Sequence, residues 1–70
     1  MNVAEKLADE IERVAKLREQ YKELDGQLGV NVKPAIFLMT HAIDNAKRAA
    51  GVDDALTQIA ALQVLEGFTE

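Results

Sequence analysis

Four side chains that could bind a partner or take part in catalysis form a stripe in the middle of the chain. Phe37, His41, Asp44 and Arg48 follow one another at spacings of four, three and four residues, which place side chains on one face of an α-helix. Phe37 would anchor a partner or ligand, with His41 and Arg48 as hydrogen-bond donors. Asp44 would accept a hydrogen bond or orient Arg48. The alternative is that Phe37 packs under a loop or another subunit, and that Asp44 and Arg48 form a weak surface ion pair.

Catalytic chemistry is not expected from these residues. His41 is the single histidine, and no nucleophile or orienting group follows it in a pattern that would make it a general base. The chain has no cysteine, which excludes disulfides, thiol catalysis and zinc–thiolate sites. The sequence also lacks the Gly-rich GxxxxGK[ST] phosphate loop. We therefore expect a protein that is not an enzyme and that has neither a cofactor nor a metal.

A second pattern suggests an anion site at the start of the helix that carries this stripe. Lys33 precedes Pro34, and the first free N–H groups of a helix, with the positive end of its dipole, attract anions. Tyr21 or Arg48 of a neighbouring subunit would complete such a pocket. The alternative function is therefore an oligomeric sponge that binds an anionic small molecule, such as a signalling nucleotide, between subunits through these side chains and His41.

The charge distribution argues against nucleic acid as a partner. The net charge is −4, and it divides into about −2 over 1–25, +2 over 26–51 and −4 over 52–70 when side chains are counted. A helix-turn-helix interpretation of the second half fails, because no Lys or Arg follows Arg48 and phosphate contacts supply much of DNA affinity. We expect no DNA binding. A minor alternative is that the acidic groups mimic phosphate toward a basic protein.

Three helices position these residues. Helix 1 is predicted from about 3 to 24, with Asn2 as its N-cap and apolar residues spaced three and four apart. Helix 2 is predicted over 34–50 and helix 3 over 54–66. The two charged pairs Asp9–Arg13 and Glu12–Lys16 are spaced as i, i+4 ion pairs on helix 1.

The connections are predicted from turn chemistry. Glycine and alternating apolar residues over 26–33 allow a direction reversal with a short extended piece. Gly51 is expected to end helix 2 in a left-handed conformation. Asp53 is expected to cap helix 3.

Helix 3 is apolar around almost its whole circumference, which predicts self-association. A helix of this kind must be covered on every side, and a single chain of 70 residues has too few neighbours to do so. The expected fold is therefore an all-α helical bundle completed by homo-oligomerisation. The expected interface residues are Leu56, Ile59, Leu62, Val64, Leu65 and Phe68. The alternative is that helix 3 lies across a groove of helices 1 and 2 with a small-residue edge exposed.

The expected function follows from these exclusions. No apolar run is long enough for a signal peptide or a membrane span, so we expect a single cytoplasmic domain without membrane contact. In size and helix plan the chain is similar to accessory proteins of phages and mobile elements, which include inhibitors of host defence and nucleotide sponges. No sequence motif specifies either family. The predicted function is a small, acidic, non-enzymatic interaction protein that forms a homo-oligomer and modulates a partner macromolecule.

Overall fold

A computed structural model describes residues 2–27 and 31–68 of the chain. The described residues form three α-helices, α1 (Val3–Leu24), α2 (Lys33–Ala50) and α3 (Ala55–Glu66), and no strand. The expectation of an all-helical chain with a long first helix is confirmed. Leu28 and Val30 of the expected extended piece lie outside the described residues.

The ends of α1 are set by side-chain capping and by one glycine. The Asn2 Oδ1 atom accepts a hydrogen bond of 2.8 Å from the backbone N–H of Glu5, which satisfies one of the free donors of the first turn. After the helix, Gly26 has a φ of +83°, a left-handed conformation that favours glycine. The chain therefore leaves α1 at a defined point before the turn toward α2.

Ion pairs on α1 differ from the expectation at one position. The Lys16 and Glu12 side chains lie 3.3 Å apart, as predicted. The predicted Asp9–Arg13 pair is wrong, because the Arg13 Nε atom lies 2.7 Å from the Glu10 carboxylate. Arg13 also donates a 3.0 Å hydrogen bond to the Leu65 carbonyl. This side chain therefore ties the middle of α1 to the last turn of α3.

The starts of α2 and α3 show two capping arrangements. Pro34 lies in the first turn of α2, as expected, and the Asn31 side chain accepts a hydrogen bond from the Lys33 N–H at 3.2 Å. The prediction of Asp53 as the cap of α3 is wrong. The cap is Asp54, whose carboxylate accepts from the Leu56 N–H, so α3 begins one residue later than expected.

The core is assembled from one face of each helix. Leu7 and Val14 of α1, Met39 and Ile43 of α2, and Leu65 of α3 are essentially inaccessible to solvent. Alanines fill much of the α2 contribution, which lets the neighbouring helices approach closely. The remaining buried residues are Leu17, Ala42, Ala46, Ala49, Ala61 and Leu62.

The three helices differ greatly in length, and this leaves part of the bundle two helices thick. They contain 22, 18 and 12 residues, so α3 is about 18 Å long and α2 about 27 Å. Side-chain bonds from Gln58 to the Ala49 carbonyl and from Arg13 to the Leu65 carbonyl place α3 beside the end of α2 and the first half of α1. The overall extents are 43 × 19 × 16 Å.

None of the helices in the described part of the chain combines the length and the apolar character that crossing a bilayer requires.

Candidate functional site

The Phe37 stripe lies on the outer face of α2, opposite the core. All four of its residues are exposed, and Phe37 retains 63% of its accessible surface. The Phe37 and His41 rings lie against each other, with centroids 5.0 Å apart and planes inclined by 59°. This geometry gives the stripe a small aromatic platform that solvent reaches. Phe37 thus does not pack into the core of its own chain.

Asp44 and Arg48 do not form the ion pair that their spacing suggests. Among the described residues, carboxylate pairs within 4 Å are found for Arg13, Lys16 and Lys22, all on α1. Arg48 therefore keeps its charge available on the outer face. Asp44 does not orient it.

The residues of the expected anion pocket are not gathered within one chain. Lys33 and Arg48 lie at opposite ends of α2, which separates them by about 22 Å along the axis at 1.5 Å per residue. Tyr21 is half-buried and packs against the core from α1. The described residues enclose no pocket. The described part of a single chain therefore offers no enclosed cavity for a small anion.

The expected interface residues of α3 divide into two groups. Leu62 and Leu65 are buried in the core of their own chain, with 7% and 0% of their surface exposed. The structure assigns them to the core instead of a surface, because they face α1 and α2. Phe68 is half-buried and packs against the same core.

The other three interface residues lie on the outer side of α3. Leu56 is 79% exposed, Val64 53% and Ile59 38%. The exposed residues between them are small or uncharged, and no charged side chain occurs from 55 to 65. We call this surface, consisting of Leu56, Ile59, Ala60 and Val64, the α3 outer face.

A second apolar region lies beyond the end of α3. Leu24 of α1 and Leu38 of α2 are 48% and 57% exposed. Leu38 precedes the buried Ala42 by one helical turn, so both lie on one side of α2. These two side chains provide a comparison for the α3 outer face, because they have similar exposure at a different place.

Arg18 is a candidate binding residue that the sequence analysis did not identify. Its guanidinium group donates a 3.3 Å hydrogen bond to the Thr40 hydroxyl on α2, while its Nε atom is buried with no hydrogen-bond partner. Arg18 follows the buried Val14 by four residues, so helical spacing already placed a cation beside the apolar seam. This spacing is the feature of the sequence from which Arg18 could have been identified.

The titratable groups of the described residues include no metal-binding cluster, and one of them, Asp54, caps a helix. No group of three or more His, Asp or Glu residues lies close enough to bind a metal. The pKa of Asp54 is lowered by the hydrogen bond from the Thr57 hydroxyl and by the bond from the Leu56 N–H. Because these bonds belong to a helix cap, the shift reflects folding rather than catalysis.

Comparisons with protein-family models, with curated proteins and with solved structures find no match to this chain. The candidate sites therefore depend on the geometry described above.

Proposed function

We propose that this protein is a non-enzymatic interaction protein that works as a homo-oligomer and modulates a partner macromolecule. The observation that supports self-association is the α3 outer face, where Leu56 and Val64 are largely exposed. Contiguous exposed apolar surface on a small domain is typical of interaction sites. In format the proposed role is that of the accessory or inhibitor proteins carried by phages and mobile elements.

A second copy of the chain is the occupant that fits this face best. Each chain has a net charge of −4, so two copies repel each other unless they meet where charge is absent. The α3 outer face is such a place, because its residues from 55 to 65 are uncharged. Ala60 lies between the larger side chains and allows two helices to approach closely. A twofold interface would place the same surface on both copies.

The nucleotide-sponge alternative receives no support from a single chain, because its cations are distributed along the whole of α2. It would require a second copy to bring Lys33 and Arg48 toward one ligand. We therefore retain the interaction module as the proposed function.

Sedimentation equilibrium tests the self-association directly. A monomer has a mass of 7.7 kDa, and we expect the wild-type chain to have a multiple of this mass at about 100 µM, a concentration at which even modest interfaces are populated. Replacing Leu56 and Val64 together by Gln should return the mass to that of the monomer. Circular dichroism should show unchanged helicity, because neither side chain belongs to the core.

The double replacement of Leu24 and Leu38 by Gln is the matched control. It removes two leucines of comparable exposure from the region beyond α3 and should leave the mass of the oligomer unchanged. A wild-type mass of 7.7 kDa would refute self-association. An oligomer that dissociates only in the control variant would place the interface elsewhere.

A further inference from the structure

The outer face of α2 carries most of the unpaired positive charge of an acidic chain. Five of the eight cations have no carboxylate of the described residues within 4 Å: Lys33, Lys47 and Arg48 on α2, and Lys6 and Arg18 on α1. The other three, Arg13, Lys16 and Lys22, are paired on α1. Asp44 is the single acid of α2. The face therefore has a net positive charge, while the rest of the chain is negative.

Arg18 adds to this positive face from the neighbouring helix. Its guanidinium contacts the Thr40 hydroxyl, and Thr40 borders the stripe because it lies three residues after Phe37 and four before Asp44. Arg18 forms no ion pair in the described part of the chain. Its buried Nε atom has no hydrogen-bond partner. Buried donors on a guanidinium are normally satisfied. The buried Nε atom is out of reach of a partner, so an incoming carboxylate would supply the missing countercharge at the accessible part of this half-buried side chain.

The same face presents an apolar anchor. Phe37 is 63% exposed and lies against His41, so a partner must bring an apolar side chain as well as negative charge. Aromatic and Arg side chains are the residues that contribute most to protein interfaces. The cations lie on either side of this platform, because Lys33 precedes it by one turn and Arg48 follows it by about three turns.

We propose that the outer face of α2, extended by Arg18, docks an acidic segment of a partner protein that carries apolar side chains between its carboxylates. This inference identifies the partner chemistry for the proposed function and depends on it. A protein segment fits better than nucleic acid, because the positive charge is confined to one face of a chain whose other surfaces would repel a long polyanion.

Nuclear magnetic resonance titration of the ¹⁵N-labelled full chain tests this proposal. The probe is a synthetic peptide of about ten residues with Asp and Glu near both ends and Leu and Phe between them, since an extended chain of that length spans the roughly 22 Å between Lys33 and Arg48. The amide signals of α2 from Lys33 to Arg48 should shift. Binding should weaken about fivefold or more between 50 and 300 mM salt, because exposed charges are screened.

Variants of the protein and a control peptide separate the contributions of the apolar anchor and of single charges to the binding affinity. Phe37→Ala should weaken binding about tenfold by removing the apolar anchor. Arg48→Gln should weaken it by roughly threefold, the effect of one exposed charge. Lys16→Gln removes the same charge from an exposed position of α1 and should leave the affinity unchanged. A peptide with Asn and Gln in place of the acids should not bind.

Three results would overturn the proposal. One is the absence of shifts at millimolar peptide. Another is a set of shifts confined to α3, and the third is equal loss of affinity in Lys16→Gln and Arg48→Gln. Tighter binding of an oligothymidylate of similar length would identify nucleic acid instead. The mass of the same samples, measured by sedimentation, reports separately on the oligomer, so failure of this inference is distinguishable from failure of the proposed function.

Discussion

Asp54 shows how one carboxylate determines where a helix begins. Its two oxygens accept hydrogen bonds from the Leu56 N–H at 3.1 Å and from the Thr57 hydroxyl at 2.8 Å. Both bonds stabilise the ionised form, so the pKa in the folded chain lies below the usual value of 3.8. The negative charge also lies at the positive end of the α3 dipole.

This lowered pKa predicts that the difference in stability between Asp54→Asn and the wild-type chain depends on pH. Because the pKa of Asp54 is lower in the folded chain than in the unfolded chain, its ionised form stabilises the fold at a pH above the unfolded-state pKa. This stabilisation is lost as the pH falls through the folded-state pKa. Asp54→Asn should therefore lower the melting temperature at about pH 6, and the gap to wild type should close below about pH 3.8. Thermal unfolding followed by circular dichroism measures both.

Asp53→Asn provides the control, because it removes the same charge one residue earlier, where no capping bond is formed. Equal losses in the two variants at about pH 6 would show that the effect is one of general charge rather than of the cap.

Single-residue detail was the part of the structure that the sequence predicted least well. Two acidic residues stand side by side before α3, and propensity alone does not distinguish Asp53 from Asp54 as the cap. Arg13 had two acids within helical reach, Asp9 and Glu10. It pairs with Glu10 through its Nε atom, while its Nη2 atom donates a hydrogen bond to the Leu65 carbonyl. The position of the Arg13 side chain depends on a contact between helices, which spacing along one helix does not contain.

At the scale of the elements, helix existence and extent were predictable. Apolar spacing, Asn2 and Pro34 place the helix ends within one residue of where they lie. The expected left-handed glycine at the end of α2 was wrong, because Gly51 has a φ of −85°. The left-handed glycine lies after α1 instead, at Gly26. Glycine marks both helix ends, but its conformation follows from the direction in which the chain must leave.

Replacing the two glycines by alanine should have opposite effects. Gly26→Ala forces a side chain into the left-handed region and should destabilise the fold by about 1 kcal/mol. Gly51→Ala meets no strain, since the new Cβ would lie 3.6 Å from the Arg48 carbonyl oxygen. It should be neutral or stabilising by roughly 0.5 kcal/mol through the unfolded state.

Urea denaturation of the two variants measures this difference, with each serving as the other's control. An equal loss of stability in both would contradict the assignment of the left-handed position to Gly26. Equal stabilisation would contradict it as well.

At the scale of the whole molecule, the sequence predicted more exposed apolar surface on helix 3 than the folded chain has. Helix 3 is apolar on every side, but α1 and α2 cover the side that carries Leu62 and Leu65. The sequence shows that helix 3 has more apolar residues than one face can hold. Which of them are buried and which are exposed depends on the direction in which α3 packs, and the sequence does not give that direction. The four residues of the α3 outer face remain as the proposed contact.

The candidate functional residues were likewise predictable from the sequence only where they lie on one helix. Helical spacing correctly placed the four residues of the Phe37 stripe on one face, because periodicity alone determines this. It placed Arg18 beside the apolar seam, but it could not show that the guanidinium contacts Thr40 on the neighbouring helix.

The most direct test of the central claim is an isotope-filtered nuclear Overhauser experiment on a mixture of labelled and unlabelled chains. We expect intermolecular cross-peaks among the methyl groups of Leu56, Ile59 and Val64, because two copies should meet through the α3 outer face. Intermolecular cross-peaks that join Leu24 and Leu38 instead, or none in a sample at about 1 mM, a concentration that populates even weak complexes, would contradict it.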